Sequence, residues 1–296
     1  MSANVQVGVI GIGAMGMGMA RSLLRNGYTT YVRDIRVEAH EEALKIGAQP
    51  CSSASTLVAQ CDLVFTVVVD QAQTENVLFG SDSVIHGARP GTVIVVSSTL
   101  SPIYVASLAP RLAAVGLHLI DAPISGGPKR ASEGTMTMMI AGPKPEVARC
   151  KPVFSHLAAR VFEISSTPGD AAKMKLVNNM LAGANLVAGA EALAMGTKAG
   201  LEPQLIYDVV CASSGGSWIF ADRMKRIIEG DSTVTAATPI LTKDMGLAME
   251  FARSLRFPAT LGGAAHSALL AALALGYDKA DDGSVYRVYE RYLEPQ

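Results

Sequence analysis

The sequence carries no excess of charge of either sign: 25 Lys and Arg stand against 26 Asp and Glu, a net charge of −1. No long-range field therefore favours nucleic acid or an anionic membrane, and any basic site must be local. Cysteine is sparse. Cys51, Cys61, Cys150 and Cys211 form no Cys-x-x-Cys or Cys/His cluster, which argues against a metal or redox pair and leaves four buried thiols as the expectation. No uninterrupted apolar run reaches the roughly 18 residues that a membrane span needs. The first residues are apolar but lack a basic n-region, because Arg21 arrives only after the apolar stretch, so a cytoplasmic protein is expected. What is present, 49% hydrophobic and 17% charged side chains in 296 residues, is enough for at least one large core and one or two domains.

Two rhythms divide the chain. Up to about residue 165, apolar runs such as "VQVGVI", "TTYVRD", "DLVFTVVV", "GTVIVVSS" and "HLIDAP" alternate with amphipathic stretches, the pattern of βαβ units around a parallel sheet. The runs are almost continuously apolar, as strands are when helices cover both faces. "GTMTMMIAG" and "ARVFEIS" extend the sheet at its far end. After "STPGD" the β-branched runs stop and an Ala-, Leu- and Met-rich helical periodicity continues. The reading is an α/β chain: a doubly wound parallel sheet over 1–165 and an all-helical domain over 166–296, joined by a long helix. That helix, from about Ala171 to Ala199, would be roughly 40 Å long at about 1.5 Å per residue. Its small residues, among them Ala182, Gly183, Ala188 and Gly189, suit close packing against a partner subunit or within the chain.

In "GVIGIGAMGMGMARSLL", Gly11, Gly13 and Gly16 follow a strand and open a helix. This is the context of a dinucleotide fingerprint: without Cβ atoms, the turn brings Ala14, Met15 and the helix N-terminus against a pyrophosphate. Asp34 lies eighteen residues beyond Gly16, at the end of the second strand. A carboxylate there accepts ribose hydroxyls and repels a 2′-phosphate, which points to a Rossmann-type domain that prefers NAD. Arg33 and Arg36 leave NADP open, since either guanidinium can pair with a phosphate or simply be solvated.

Further on, "HLIDAPISGGPKRASEG" places Ser125, Gly126 and Gly127 in a loop after a strand end, where a hydroxyl and backbone N–H groups can meet an anion. An ordinary turn fits the same residues. In "DAAKMKLVNNMLAG", Lys175 and Asn179 are four apart and share a helix face, while Lys173 points elsewhere. A desolvated lysine beside an amide can exchange a proton with a substrate oxygen; an exposed helix lysine is the plain alternative. Lys243 and Asp244 read as a surface pair, and Trp218 as core or interface.

These segments together resemble the β-hydroxyacid dehydrogenase family, relatives of 3-hydroxyisobutyrate dehydrogenase and tartronate semialdehyde reductase. The resemblance spans essentially the whole chain, with "GVIGIGAMGMGMA", "DAPISGGPKRASEGTMTMM", "GDAAKMKLVNNM" and "KDMGLAMEFA" in the family's order. It implies an oxidoreductase that moves a hydride between NAD, or NADP, and the hydroxyl of a small hydroxy acid. By it, Lys175 matches the catalytic lysine, Asn179 the amide that orients substrate, and Ser125, Gly126 and Gly127 the carboxylate loop. Lys243 matches a lysine that closes over the cofactor beside the substrate. Val69 and Thr99 fall at the cofactor edge with Gly11, Gly13, Ala14, Met15, Gly16 and Asp34. The chain departs from the family at Ser97, where an aspartate is common, and at "VVVDQAQT", in place of Met-Leu-Pro.

Within the family, "SSGGSWIFADR" and "TMTMMIAG" look most like the L-threonate dehydrogenase branch. Tartronate semialdehyde reduction and 3-hydroxyisobutyrate oxidation are the alternatives. Imine reduction and a non-catalytic NAD-binding regulator are the further rivals. The implied partners are a small hydroxy-acid substrate and a second copy, as homodimer or homotetramer, with no nucleic acid, membrane or metal.

Overall fold

The computed structural model describes residues 5–293. Strand β1 (Gln6–Ile10) and helix α1 (Ala14–Arg25) are followed by β2 (Thr29–Arg33), α2 (Val37–Lys45), β3 (Gln49–Pro50), α3 (Ala54–Val58) and β4 (Leu63–Thr66). Then come α4 (Gln71–Phe79), α5 (Val84–Gly87), β5 (Val93–Val96), α6 (Pro102–Ala113) and β6 (His118–Asp121). A second series follows: β7 (Ile124–Ser125), α7 (Gly127–Glu133), β8 (Met136–Ala141), α8 (Lys144–Leu157) and β9 (Ala158–Ser165).

These strands form one sheet in the order β3-β2-β1-β4-β5-β6-β8-β7, with β9 beside β8. From β3 to β6 every pairing is parallel. The far end is mixed, because β8 runs antiparallel to β6 and β7 but parallel to β9. Alternate residues of one strand enter opposite cores: Val93 and Val95 of β5 face one apolar cluster, Ile94 and Val96 the other. Covered on both faces, the central strands can be apolar throughout. The strand order reverses between β1 and β4, so the loops at their carboxyl ends diverge and leave a crevice of the kind that takes ligands in open α/β sheets.

Helix α9 (Asp170–Lys198) begins the helical part. It is followed by α10 (Pro203–Cys211), α11 (Trp218–Ile228), α12 (Thr238–Ser254), α13 (Thr260–Ala274) and α14 (Tyr286–Glu290). Compact units divide at Lys175/Leu176, inside α9 and not at its start. The first turn of α9 stays with the sheet because the Asp121 carboxylate, at the end of β6, accepts hydrogen bonds from Gly169 N (2.8 Å) and Ala172 N (2.9 Å).

The core of the second unit gathers Leu186, Leu193, Phe220, Met245 and Leu269. The small residues of α9 are used here within the chain: a Cβ on Gly183 would lie 2.4 Å from Met245 Sδ, and one on Gly189 2.7 Å from the Phe220 ring. Trp218 is 59% exposed at the start of α11, so it is not a core residue of the single chain. Two cysteines differ from the expected burial: Cys51 is only partly buried, and Cys211 ends α10, a helix that buries only Ile206, and is exposed, whereas Cys61 and Cys150 are buried. No helix among the described residues is long and apolar enough to cross a membrane, and no group of three or more His, Cys, Asp or Glu among them could hold a metal ion.

Candidate active site

The β1–α1 turn is built for close approach of backbone to a ligand. Gly11 has φ +88°, and a Cβ there would strike Val67 O at 2.5 Å; a Cβ on Gly16 would strike Gly11 O at 2.0 Å. These two glycines close the turn. Gly13 differs: it caps α1, its φ of −66° suits any residue, and a Cβ on it would meet nothing within 4 Å. A side chain there would project only into the space in front of the helix, where the amides of Ala14, Met15 and Gly16 begin a helix with no acidic residue in its first turn and no side-chain cap. That open space fits a pyrophosphate.

Asp34 follows β2 and is buried beside this turn. Its Oδ2 accepts from Ile12 N (2.9 Å) and its Oδ1 from Arg36 N (3.0 Å). The Arg36 guanidinium lies along the same carboxylate, Nε to Oδ1 at 3.0 Å and Nη2 to Oδ2 at 3.2 Å. Burial works to raise the Asp34 carboxyl, but the hydrogen bonds and charge of Arg36, with the Ile12 N–H, hold it below the ordinary carboxylate range. Behind it, Asp34 N donates to His40 Nε2 at 3.0 Å, and Arg33 donates to Asp34 O.

At the carboxyl ends of β4 and β5, Val67 and Val68 pack on Gly11, Val68 N donates to Ser98 Oγ (3.1 Å), and Thr99 is half-buried. Val69 is 45% exposed, with its N–H on Gln73 Oε1, while Asp70 caps α4 through Gln73 N (2.8 Å). The departure at Ser97 has a local consequence. Among the described residues, Ser97 Oγ and its neighbour Thr66 Oγ1 are buried without a hydrogen-bond partner.

Ser125 ends β7 and leads into Gly126 (φ +133°) and Gly127 (φ +78°), conformations that L side chains rarely adopt. Lys175 reaches the same loop: it is 8% exposed, and its Nζ donates to Ile124 O at 2.7 Å. Lys173, two residues earlier, instead pairs with Asp170 on the surface. Asp121, whose side chain sequence reasoning passed over, anchors the helix that carries Lys175.

In the helical unit, Asn179 Nδ2 donates to Asp244 Oδ2 at 2.7 Å, and Asn178 Nδ2 donates to Asn179 Oδ1 at 3.1 Å. Lys243 Nζ pairs with Asp244 Oδ1 at 2.6 Å. Asp244 is therefore not part of a solvated surface pair. It is buried, and its carboxylate joins Asn179 on α9 to Lys243 on α12. Its partner in Asn179 lies 65 residues away, and no local spacing signals it.

Such a glycine turn, followed by a carboxylate at the end of the second strand and a helical unit entered through a lysine-bearing helix, is the plan of a nicotinamide-dependent dehydrogenase. Residues 6–165 match the family model for the NAD-binding domain of 6-phosphogluconate dehydrogenase. Residues 169–289 match the model for the NAD-binding region of NADP-dependent 3-hydroxyisobutyrate dehydrogenase. L-threonate dehydrogenase of Cupriavidus necator is 39% identical over 98% of this chain and 97% of that protein. The 2-(hydroxymethyl)glutarate dehydrogenase of Eubacterium barkeri is 34% identical over 98% of this chain and 97% of its own. A crystal structure of 3-hydroxyisobutyrate dehydrogenase from Salmonella typhimurium superposes with a TM-score of 0.90 at 39% identity, covering 96% of this chain and 100% of that one. The chain belongs to the β-hydroxyacid dehydrogenase family. It is an NAD(P)-dependent oxidoreductase of a small hydroxy acid.

Proposed function

We propose that the chain oxidises a short polyhydroxy acid of the L-threonate type at its 2-hydroxyl, with Lys175 as the general base and, in reverse, the general acid. The observation that carries this is Lys175 itself, a buried amine 2.7 Å from Ile124 O and next in space to the Ser125 loop. NAD(P), when bound, takes or supplies the hydride. Ser125 Oγ and the N–H groups of Gly126 and Gly127 hold the substrate carboxylate, which sets the neighbouring carbon. Lys175 Nζ takes the proton of the hydroxyl as it becomes a carbonyl. Asn179, one turn further along α9, orients the reacting oxygen, and its amide is fixed by Asp244.

Gly11, Gly13, Ala14, Met15 and Gly16 hold the pyrophosphate, Asp34 the adenosine ribose, and Val69 and Thr99 the nicotinamide side. Lys243 is a cofactor and substrate contact held by Asp244. The Asp34 carboxylate favours NAD. A homodimer or homotetramer in a thiol-reducing cytoplasm is the setting we assign; the free, exposed thiol of Cys211 suits it.

The test is NADH and NADPH formation with L-threonate, 3-hydroxyisobutyrate, 2-(hydroxymethyl)glutarate, glycerate and serine. Selective NAD-linked turnover of L-threonate is expected, and turnover of another acid alone replaces the substrate while leaving the mechanism. Lys175→Ala should lower kcat by about 10²–10⁴-fold, the range of a lost acid/base group, with the Kd for NAD changed by about twofold or less. A variant that turns over at close to the wild-type rate removes Lys175 from the reaction.

A further inference from the structure

The geometry points to Arg36 as the residue that sets the choice between NAD and NADP, an inference that rests on reading the β1–α1 turn as the dinucleotide site. A carboxylate has about four acceptor positions on its two oxygens. At Asp34 all four are taken: Ile12 N and Arg36 N from the backbone, Arg36 Nε and Nη2 from one side chain. The same Nη2 also reaches Ile12 O at 3.2 Å.

The two backbone donors belong to the turn and stay. The two guanidinium donors belong to a side chain that is 55% exposed and free to swing toward solvent. A ribose diol can bond to Asp34 only where Arg36 withdraws, so Arg36 competes with NAD for the carboxylate. For NADP the same placement works the other way. The guanidinium already neutralises Asp34, the group that would repel a 2′-phosphate, and offers a planar pair of donors matched to phosphate oxygens.

Neighbouring cations do not substitute for it. Arg33 is turned onto Asp34 O and toward His40, and His40 Nε2 is occupied as acceptor from Asp34 N. Arg36 thus weakens one dinucleotide and strengthens the other through a single side chain. The chain is expected to bind both.

The experiment is calorimetric titration of NAD⁺ and NADP⁺ into the full-length wild-type protein, Arg36→Ala and Arg36→Lys at one fixed ionic strength. Arg36→Ala is expected to tighten NAD⁺ severalfold and to weaken NADP⁺ at least tenfold. Arg36→Lys keeps the charge without the fork, and should lose less NADP⁺ affinity than the alanine variant. A general structural effect would move both affinities in one direction. Shifts in the same direction, or neither shift exceeding twofold, overturn the proposal, as does a wild-type protein that binds NAD⁺ alone. Binding of neither dinucleotide overturns the proposal together with the reading of the site, whereas binding of both at a ratio independent of Arg36 overturns the proposal only.

Discussion

Asp121 is 1% exposed, and burial pushes its carboxyl up to about 6 from an ordinary 3.8, against the backbone N–H groups of Ala172, Gly169 and Ala171 that favour its charge. A carboxyl whose pKa is higher folded than unfolded contributes stability that is complete below the unfolded value and is lost as pH rises through about 6. Asp121→Asn keeps an oxygen acceptor for Gly169 and Ala172 but cannot ionise. Urea unfolding of both proteins at pH 4, 5, 6 and 7 should therefore show the wild type losing stability relative to the variant as pH rises across this window. At about 1.4 kcal/mol per pH unit the change is at most about 3 kcal/mol. A constant difference across the window would mean that Asp121 is not shifted upward. In the sequence Asp121 is merely the end of an apolar strand; its partners are 48 and 51 residues away. Asp34 was legible because its partners are fixed by a turn of known geometry, whereas Asp121 and Asp244 depend on helix packing that no spacing reveals.

At the scale of the element, α9 was the easiest to read: the expected span of Ala171–Ala199 compares with Asp170–Lys198 in the fold, because an Ala- and Leu-rich run without proline has no reason to break. What its glycines pack against was not legible. Gly189 faces the rigid ring of Phe220, with Cβ-to-ring approach of 2.7 Å, and Gly183 faces the flexible thioether of Met245 at 2.4 Å. Alanine improves helix propensity by about 1 kcal/mol at either site, but overpacking costs about 1–3 kcal/mol where the neighbour cannot yield. Gly189→Ala is thus expected to lower Tm, and Gly183→Ala to lower it less, because Met245 can rotate away. Equal or reversed shifts in thermal unfolding would mean that ring and thioether yield alike.

The whole molecule leaves large apolar side chains uncovered in its helical unit: Leu261 is 78% exposed, Met195 70%, Leu205 56% and Val209 55%. Burying such side chains is the usual gain of obligate association. Light scattering of the purified protein should report a mass of two or four times 30.9 kDa. A monomer at micromolar concentration would reject the homo-oligomer. The division of the chain inside α9 also bears on how members of this family can be recombined. The proposed proton-transfer lysine and its companion amide stand four residues apart in one helix, yet on opposite sides of the point where the compact units separate. A chimera joined at that point would take its base from one parent and its amide from the other, and a one-residue insertion at the junction would rotate the two by about 100° around the helix axis. Exchange of the helical part between relatives therefore belongs in the loop before Asp170, where the helix travels as one piece with both groups in register.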